Sequence, residues 1–177
     1  MTMTLNGSGT IAGLSAGGLP DASIVQADLA TGVAGTGPAF SAYLSGSSQS
    51  ITTNTWTKVA LNTEDFDTNN AFDSTTNYRF QPTVAGYYLL NGLVYQNATG
   101  MGESITGVYK NGSLYKSFSD VSVTNVASYR LIGGSCLVYL NGSTDYAELY
   151  TLIVGTSPAV FTGSDSTYFQ GSMVRAA

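Results

Sequence analysis

The chain contains no histidine, and only 10% of its residues are charged. Without imidazole there can be no His-based triad, no imidazole general base and no imidazole metal ligand. Cys136 is the single cysteine, so an intrachain disulfide is impossible, as suits synthesis in a reducing cytoplasm. It lies in SCLVYL among apolar neighbours, with no histidine to activate it, and reads as a small buried hydrophobe. The six basic residues (Lys58, Arg79, Lys110, Lys116, Arg130 and Arg175) are scattered, and the net charge is −5. They offer no basic patch for nucleic acid. No apolar run approaches the roughly 18 residues that membrane insertion needs. The opening MTMTLNGSGT has neither a positive n-region nor an apolar h-region, so no secretory signal is expected. Nor is there a phosphate-cradling GxxxxGK[ST] motif.

What takes the place of charge is Gly, Ser, Thr, Asn and Tyr, a composition that suits strands and turns better than soluble helices. At 177 residues the chain can form one domain with an appendage. Composition shifts near residue 38. Residues 1–38 are glycine-rich and have no Lys, Arg, Tyr, Phe or Trp, so they cannot build a core of their own. After Leu19-Pro20-Asp21, the segment ASIVQADLATGV places Ile24 and then Val25, Leu29 and Val33 on a narrow apolar stripe. Two readings stand: a flexible leader, or an arm or neck that docks on partners through those four residues.

From residue 39 to residue 177 the pattern is strand after strand. AFSAYLS alternates Phe40, Ala42 and Leu44 against Ser41, Tyr43 and Ser45. SITTNTWTKVAL supplies β-branched residues around Trp56, and residues 62–77 read as a polar loop anchored by Phe66 and Phe72. Asn111-Gly112 between VYK and SLY is the strongest local signal, since a type I′ hairpin turn needs positive φ at both central residues. Two more strands flank Asn141-Gly142, and Tyr168–Val174 closes the chain. Eight to ten strands without a convincing long helix indicate a sandwich or jelly roll.

YRFQPTVAGYYLLNGLVY carries the most information. From Gly86 onward one side-chain set is Tyr88, Leu90, Gly92 and Val94, and the other is Tyr87, Leu89, Asn91, Leu93 and Tyr95. A half-exposed antiparallel strand would make one set polar. A strand apolar on both sides needs its own core and a second surface, which a further copy of the chain can supply.

WTKVALNTEDFD followed by NYRFQPTVAGYYLLNGLVY resembles the globular head of complement C1q and its tumour-necrosis-factor-like relatives. Phe66, Phe80, Pro82, Gly86, Tyr88 and Leu90 stand in the family's places, while Gly92 replaces its usual bulky residue. YKNGSLYKS resembles the family's central hairpin and TYFQGSMV its closing strand. The resemblance implies an all-β, ten-strand jelly roll over residues 39–177, assembled as a homotrimer. It further implies that Ala147, Leu149, Thr151 and Ile153 fill the core while Tyr146, Tyr150 and Leu152 join Tyr87, Leu89, Leu93 and Tyr95 in facing the partners. The alternative is that these tyrosines line a solvated sheet.

The leader, with TLNG and IVQADLA, resembles the start of bacteriophage virion proteins. The two resemblances together imply a virion surface protein made in the host cytoplasm. Residues 1–38 would anchor a non-enzymatic knob to other capsid or tail proteins. Capsid decoration or cement is the first expectation, and a fibre tip that binds a host glycan or receptor is the second. No catalytic residue, metal ligand or cofactor is nominated. Glu64, Asp65, Asp67 and Asp73 form either a solvated acidic loop or a calcium site, though their spacing is not that of an EF-hand.

Overall fold

The computed structural model describes residues 37–126 and 129–177. The leader, with Ile24, Val25, Leu29 and Val33, lies outside the described residues. The described chain is all-β: β1 (Ala39–Tyr43), β2 (Gln49–Ser50), β3 (Thr57–Lys58), β4 (Thr63–Asp67), β5 (Phe72–Asp73), β6 (Arg79–Phe80), β7 (Gly86–Lys110), β8 (Ser113–Val126), β9 (Tyr129–Leu140), β10 (Ala147–Val160) and β11 (Tyr168–Ala176). These are eleven segments rather than ten, four of them only two residues long.

All register pairings are antiparallel, and β7 organises them. Its first half, residues 86–97, pairs with β9 on one side and β11 on the other; β11 then pairs with β1, and β1 with β4. Its second half, residues 101–110, lies between β8 and β10, and β10 carries β2, β3 and β6 along its far edge. Hydrogen bonding joins all eleven strands into one continuous sheet, and β7 runs from one half of it (the first sheet) into the other (the second sheet). The strand expected from Gly86 to Tyr95 runs on to Lys110.

Between the sheets sits one core, to which every long strand contributes. Phe40 stacks on Phe80 at 4.2 Å and on Phe72 at 5.2 Å, and Phe169 and Tyr88 meet this pair edge-on. The Tyr88 hydroxyl donates to the Val84 carbonyl at 2.7 Å, so its polar tip is satisfied although the ring is buried. Gly92 has a simple packing reason. A Cβ there would strike Leu149, with Phe118 at 3.3 Å, and a Cβ on its cross-strand neighbour Gly134 would come within 2.9 Å of Phe118. Side chains from β8 and β10 fill the space that a bulky residue on β7 would otherwise occupy.

A polar knot lies in this core where β7 leaves one sheet for the other. The buried Gln96 amide donates to the Ile105 carbonyl and to the hydroxyls of Thr106 and Thr151, at 2.7 to 3.1 Å, and accepts from Ser104. Full satisfaction makes such a group tolerable in an apolar interior.

Three local expectations need correction. Residues 62–77 are not all loop, because Thr63–Asp67 is the edge strand β4, whose acidic side chains guard an otherwise open sheet edge. Phe72 is buried and anchors the segment, whereas Phe66 is exposed. The stretch around Trp56 is not one strand: it is broken between β2 and β3 by a turn in which Asn54 has φ 57°. The Asn111-Gly112 hairpin is as expected, with φ values of 52° and 78°.

Candidate functional site

Antiparallel register fixes what each sheet shows to the outside. On the β7 first half, Tyr88, Leu90 and Val94 point into the core, so Tyr87, Leu89, Asn91, Leu93 and Tyr95 point away from it. β9 has the same habit: Ile132, Cys136, Val138 and Leu140 are buried, and Leu131, Gly133, Ser135, Leu137 and Tyr139 face outward. Cross-strand pairing then builds rungs. Tyr139 stands beside Tyr87, and Leu137 beside Leu89 and Ser172. Next come Ser135 beside Asn91, Gln170 and Ser41; Gly133 beside Leu93, Tyr168 and Tyr43; and Leu131 beside Tyr95.

Charge enters these rungs only at the tyrosine end, where Arg175 is the register partner of Tyr87 and the Lys110 ammonium lies 5.7 Å from the Tyr139 ring centroid. Arg175 stands at one end of the face, and the carboxylates of β4 lie along its far edge. Among the described residues ten large apolar side chains are exposed, and eight of them lie on this sheet: Phe66, Tyr87, Leu89, Tyr129, Leu131, Leu137, Tyr139 and Val174. Leu131 and Leu137 are each more than half exposed. Exposed apolar side chains grouped on one face in this way are what interaction surfaces present. The rings contact one another, Tyr87 and Tyr139 at 5.4 Å and Tyr95 and Phe161 at 5.3 Å.

The residues expected to face partners do not form one surface. Tyr87, Leu89, Leu93 and Tyr95 lie together on this face. Tyr150 and Leu152 belong to β10, in the other sheet, and Tyr146 immediately precedes that strand. Because β10 buries Ala147, Leu149, Thr151 and Ile153, Tyr150 and Leu152 point outward from the opposite layer. There Leu152 is buried, and Tyr150 stacks on Tyr109 at 3.8 Å with Trp56 beside it. Burial raises the phenol pKa of both Tyr109 and Tyr150, with the Glu148 carboxylate adding to the shift at Tyr150. Glu148, 4% exposed, pairs with Lys58 at 2.6 Å. Arg79 lies 4.3 Å over the Tyr146 ring. The β9 column was missing from the sequence-based set, although LIGGSCLVYL shows the same two-sided apolar alternation as β7.

Burial pushes the Cys136 thiol up to about 11, which keeps it protonated and inert. The acidic residues of 64–73 are occupied in holding turns. Asp73 accepts from the backbone N–H groups of Thr75, Thr76 and Asn77, and these hold its carboxyl well below the usual range, the Thr76 bond foremost. Asp67 accepts from Asn69 and Phe72, Glu64 from Ser74, and Asp65 from Ser41. Among the described residues no group of three or more acidic or thiol side chains is placed to hold a metal ion.

No protein-family model and no curated protein matches the chain. Solved structures do. Murine APRIL at pH 5.0 superposes with a TM-score of 0.56 over 77% of this chain and 98% of that one, at 11% identity. Murine APRIL at pH 8.0 gives 0.55 with the same identity and coverage. Likeness at that identity establishes architecture alone: the described chain is a tumour-necrosis-factor-like jelly roll.

Proposed function

We propose that this chain is a non-enzymatic bacteriophage virion protein, a homotrimeric knob that residues 1–38 anchor to the capsid as a decoration or cement subunit. One observation carries the assembly: eight of the ten exposed large apolar side chains among the described residues lie on one sheet face, whose charges are confined to its ends and edge. Burying them between copies is worth about 1 kcal/mol or more for each half-exposed Leu or Tyr removed from water. The C1q and tumour-necrosis-factor resemblance supplies the number three, and the resemblance of the leader supplies the virion. The anchor would act mechanically, since three linked arms raise each other's effective concentration on a particle surface. Light scattering on the purified chain tests the trimer, and a monodisperse monomer at tens of micromolar would sink it. Deleting residues 1–38 should leave a folded trimer that no longer sediments with particles. Electron microscopy of intact virions then distinguishes capsid from tail.

A second reading rests on the opposite layer. The aromatic array of Trp56, Tyr109 and Tyr150, flanked by Tyr146 and Arg79, would lie on the outer surface of such a trimer. Stacked rings beside polar groups suit a host glycan, which would make the chain a fibre tip. A glycan array separates the readings: specific binding that is lost on Trp56→Ala favours the tip.

A further inference from the structure

The apolar face is interrupted at its middle. Ser135, Asn91 and Gln170 form one continuous rung across β9, β7 and β11, with leucine rungs on either side: Leu137 and Leu89 on one, Leu93 on the other. The other described glutamine amides are engaged. Gln96 is fully bonded in the core, Gln49 bonds Lys58 and Ala60, and Gln81 bonds Arg79 and Ser143. Asn91 and Gln170 make no side-chain hydrogen bond to any described residue. They line, with Phe66 and Ser172, a depression of about 190 Å³.

We propose that this rung fixes the register and number of copies in the assembly, with Asn91 and Gln170 of one copy seated against the same amides of the next. The inference rests on the trimer reading above. A carboxamide is both donor and acceptor, so it complements itself when a symmetry axis brings copies together. Residues on one strand face repeat every second position, so the smallest slip that keeps apolar contact sets the amides against Leu89 or Leu93. That seating buries unpaired donors and acceptors in every subunit at once, a penalty that the correct seating avoids. The apolar rungs supply attraction that many seatings can satisfy; the amides reject all but one. A single polar residue in an apolar seam sets oligomer state in coiled coils by the same logic.

The test uses the full chain. Asn91→Leu combined with Gln170→Leu should still associate, at a concentration at least ten-fold lower, but as a mixture of stoichiometries in native mass spectrometry and light scattering. A single trimeric species from that variant would overturn the proposal. Asn91→Asp places carboxylates where the copies meet. Its assembly should weaken at least a hundred-fold at pH 7 and recover below about pH 4, where a carboxyl protonates. An Asp variant as tightly trimeric as the parent at pH 7 would also overturn it. A monomeric parent chain would instead remove the trimer reading itself, so the two failures are distinguishable.

Discussion

Residues 86–97 and 101–110 are two halves of the same strand, and the outward sides of the two sheets they serve are finished differently. In the first sheet, Tyr87, Leu89 and Asn91 stand among the side chains of β9 and β11 with nothing from the described protomer laid over them. In the second, Tyr109 is stacked by Tyr150 and Trp56, and Glu148 is neutralised by Lys58, whose ammonium also donates to the Asn77 carbonyl at 2.9 Å. The second layer completes its polar and aromatic contacts internally; the first leaves them open. Two-sided apolar alternation therefore has two causes, a partner molecule or local self-coverage, and only the neighbouring strands tell which applies.

Substitutions can break or sharpen that contrast. The largest effect is expected from Leu89→Asp with Leu137→Asp, cross-strand neighbours on the open face. Association should fall more than a thousand-fold, about 4 kcal/mol, while circular dichroism of the protomer stays unchanged. Lys58→Met acts on the closed face instead. It strands the Glu148 carboxylate and should lower protomer stability by about 2–3 kcal/mol, less than for a fully buried pair because the Lys58 side chain is 31% exposed. Denaturant titration checks this, and light scattering should show an unchanged mass. Gly92→Ala, directed into the core between the faces, should cost about 1–3 kcal/mol through overpacking against Leu149.

The smallest effect concerns pH. Asp73 is held below its ordinary pKa by the N–H groups it accepts, so its contribution is present above the unfolded carboxylate value near ~4 and is lost as pH falls through the lower folded value. Asp73→Ala should remove about 1 kcal/mol or less at pH 7 and flatten the acid limb of the melting temperature against pH. An acid limb as steep as the parent's would assign that sensitivity to another carboxylate, with Asp145, held down chiefly by its Lys110 bond, the next to examine.

Much of this architecture was legible in local pattern. The alternation of Tyr88 and Leu90 against Tyr87 and Leu89 gave the correct sides of β7, and Asn111-Gly112 gave the hairpin, because side-chain period and turn chemistry are local properties. What needs long-range information was not legible. The run TGMGE at 99–103 has the composition of a turn, yet it continues β7 from one sheet into the other, since β8 and β10 pair across that region. The family resemblance groups Tyr146, Tyr150 and Leu152 with Tyr87, and nothing local in the two segments separates them. Sheet membership decides where an outward side chain ends up, and it depends on register with strands far away in sequence. Gly92 stands where the resembled family has a bulky residue, and the reason is not local: Phe118 and Leu149, which fill the gap, come from distant segments.

The length of β7 has a mechanical consequence. A covalent rod that runs through both layers prevents either from peeling away alone, because loosening one drags on the hydrogen bonds of the other. Deuterium labelling should accordingly find the amides at Leu90 and Val108 opening together, at the rate of whole-domain unfolding. A knob built this way transmits a pull on its surface as a load shared across the entire fold.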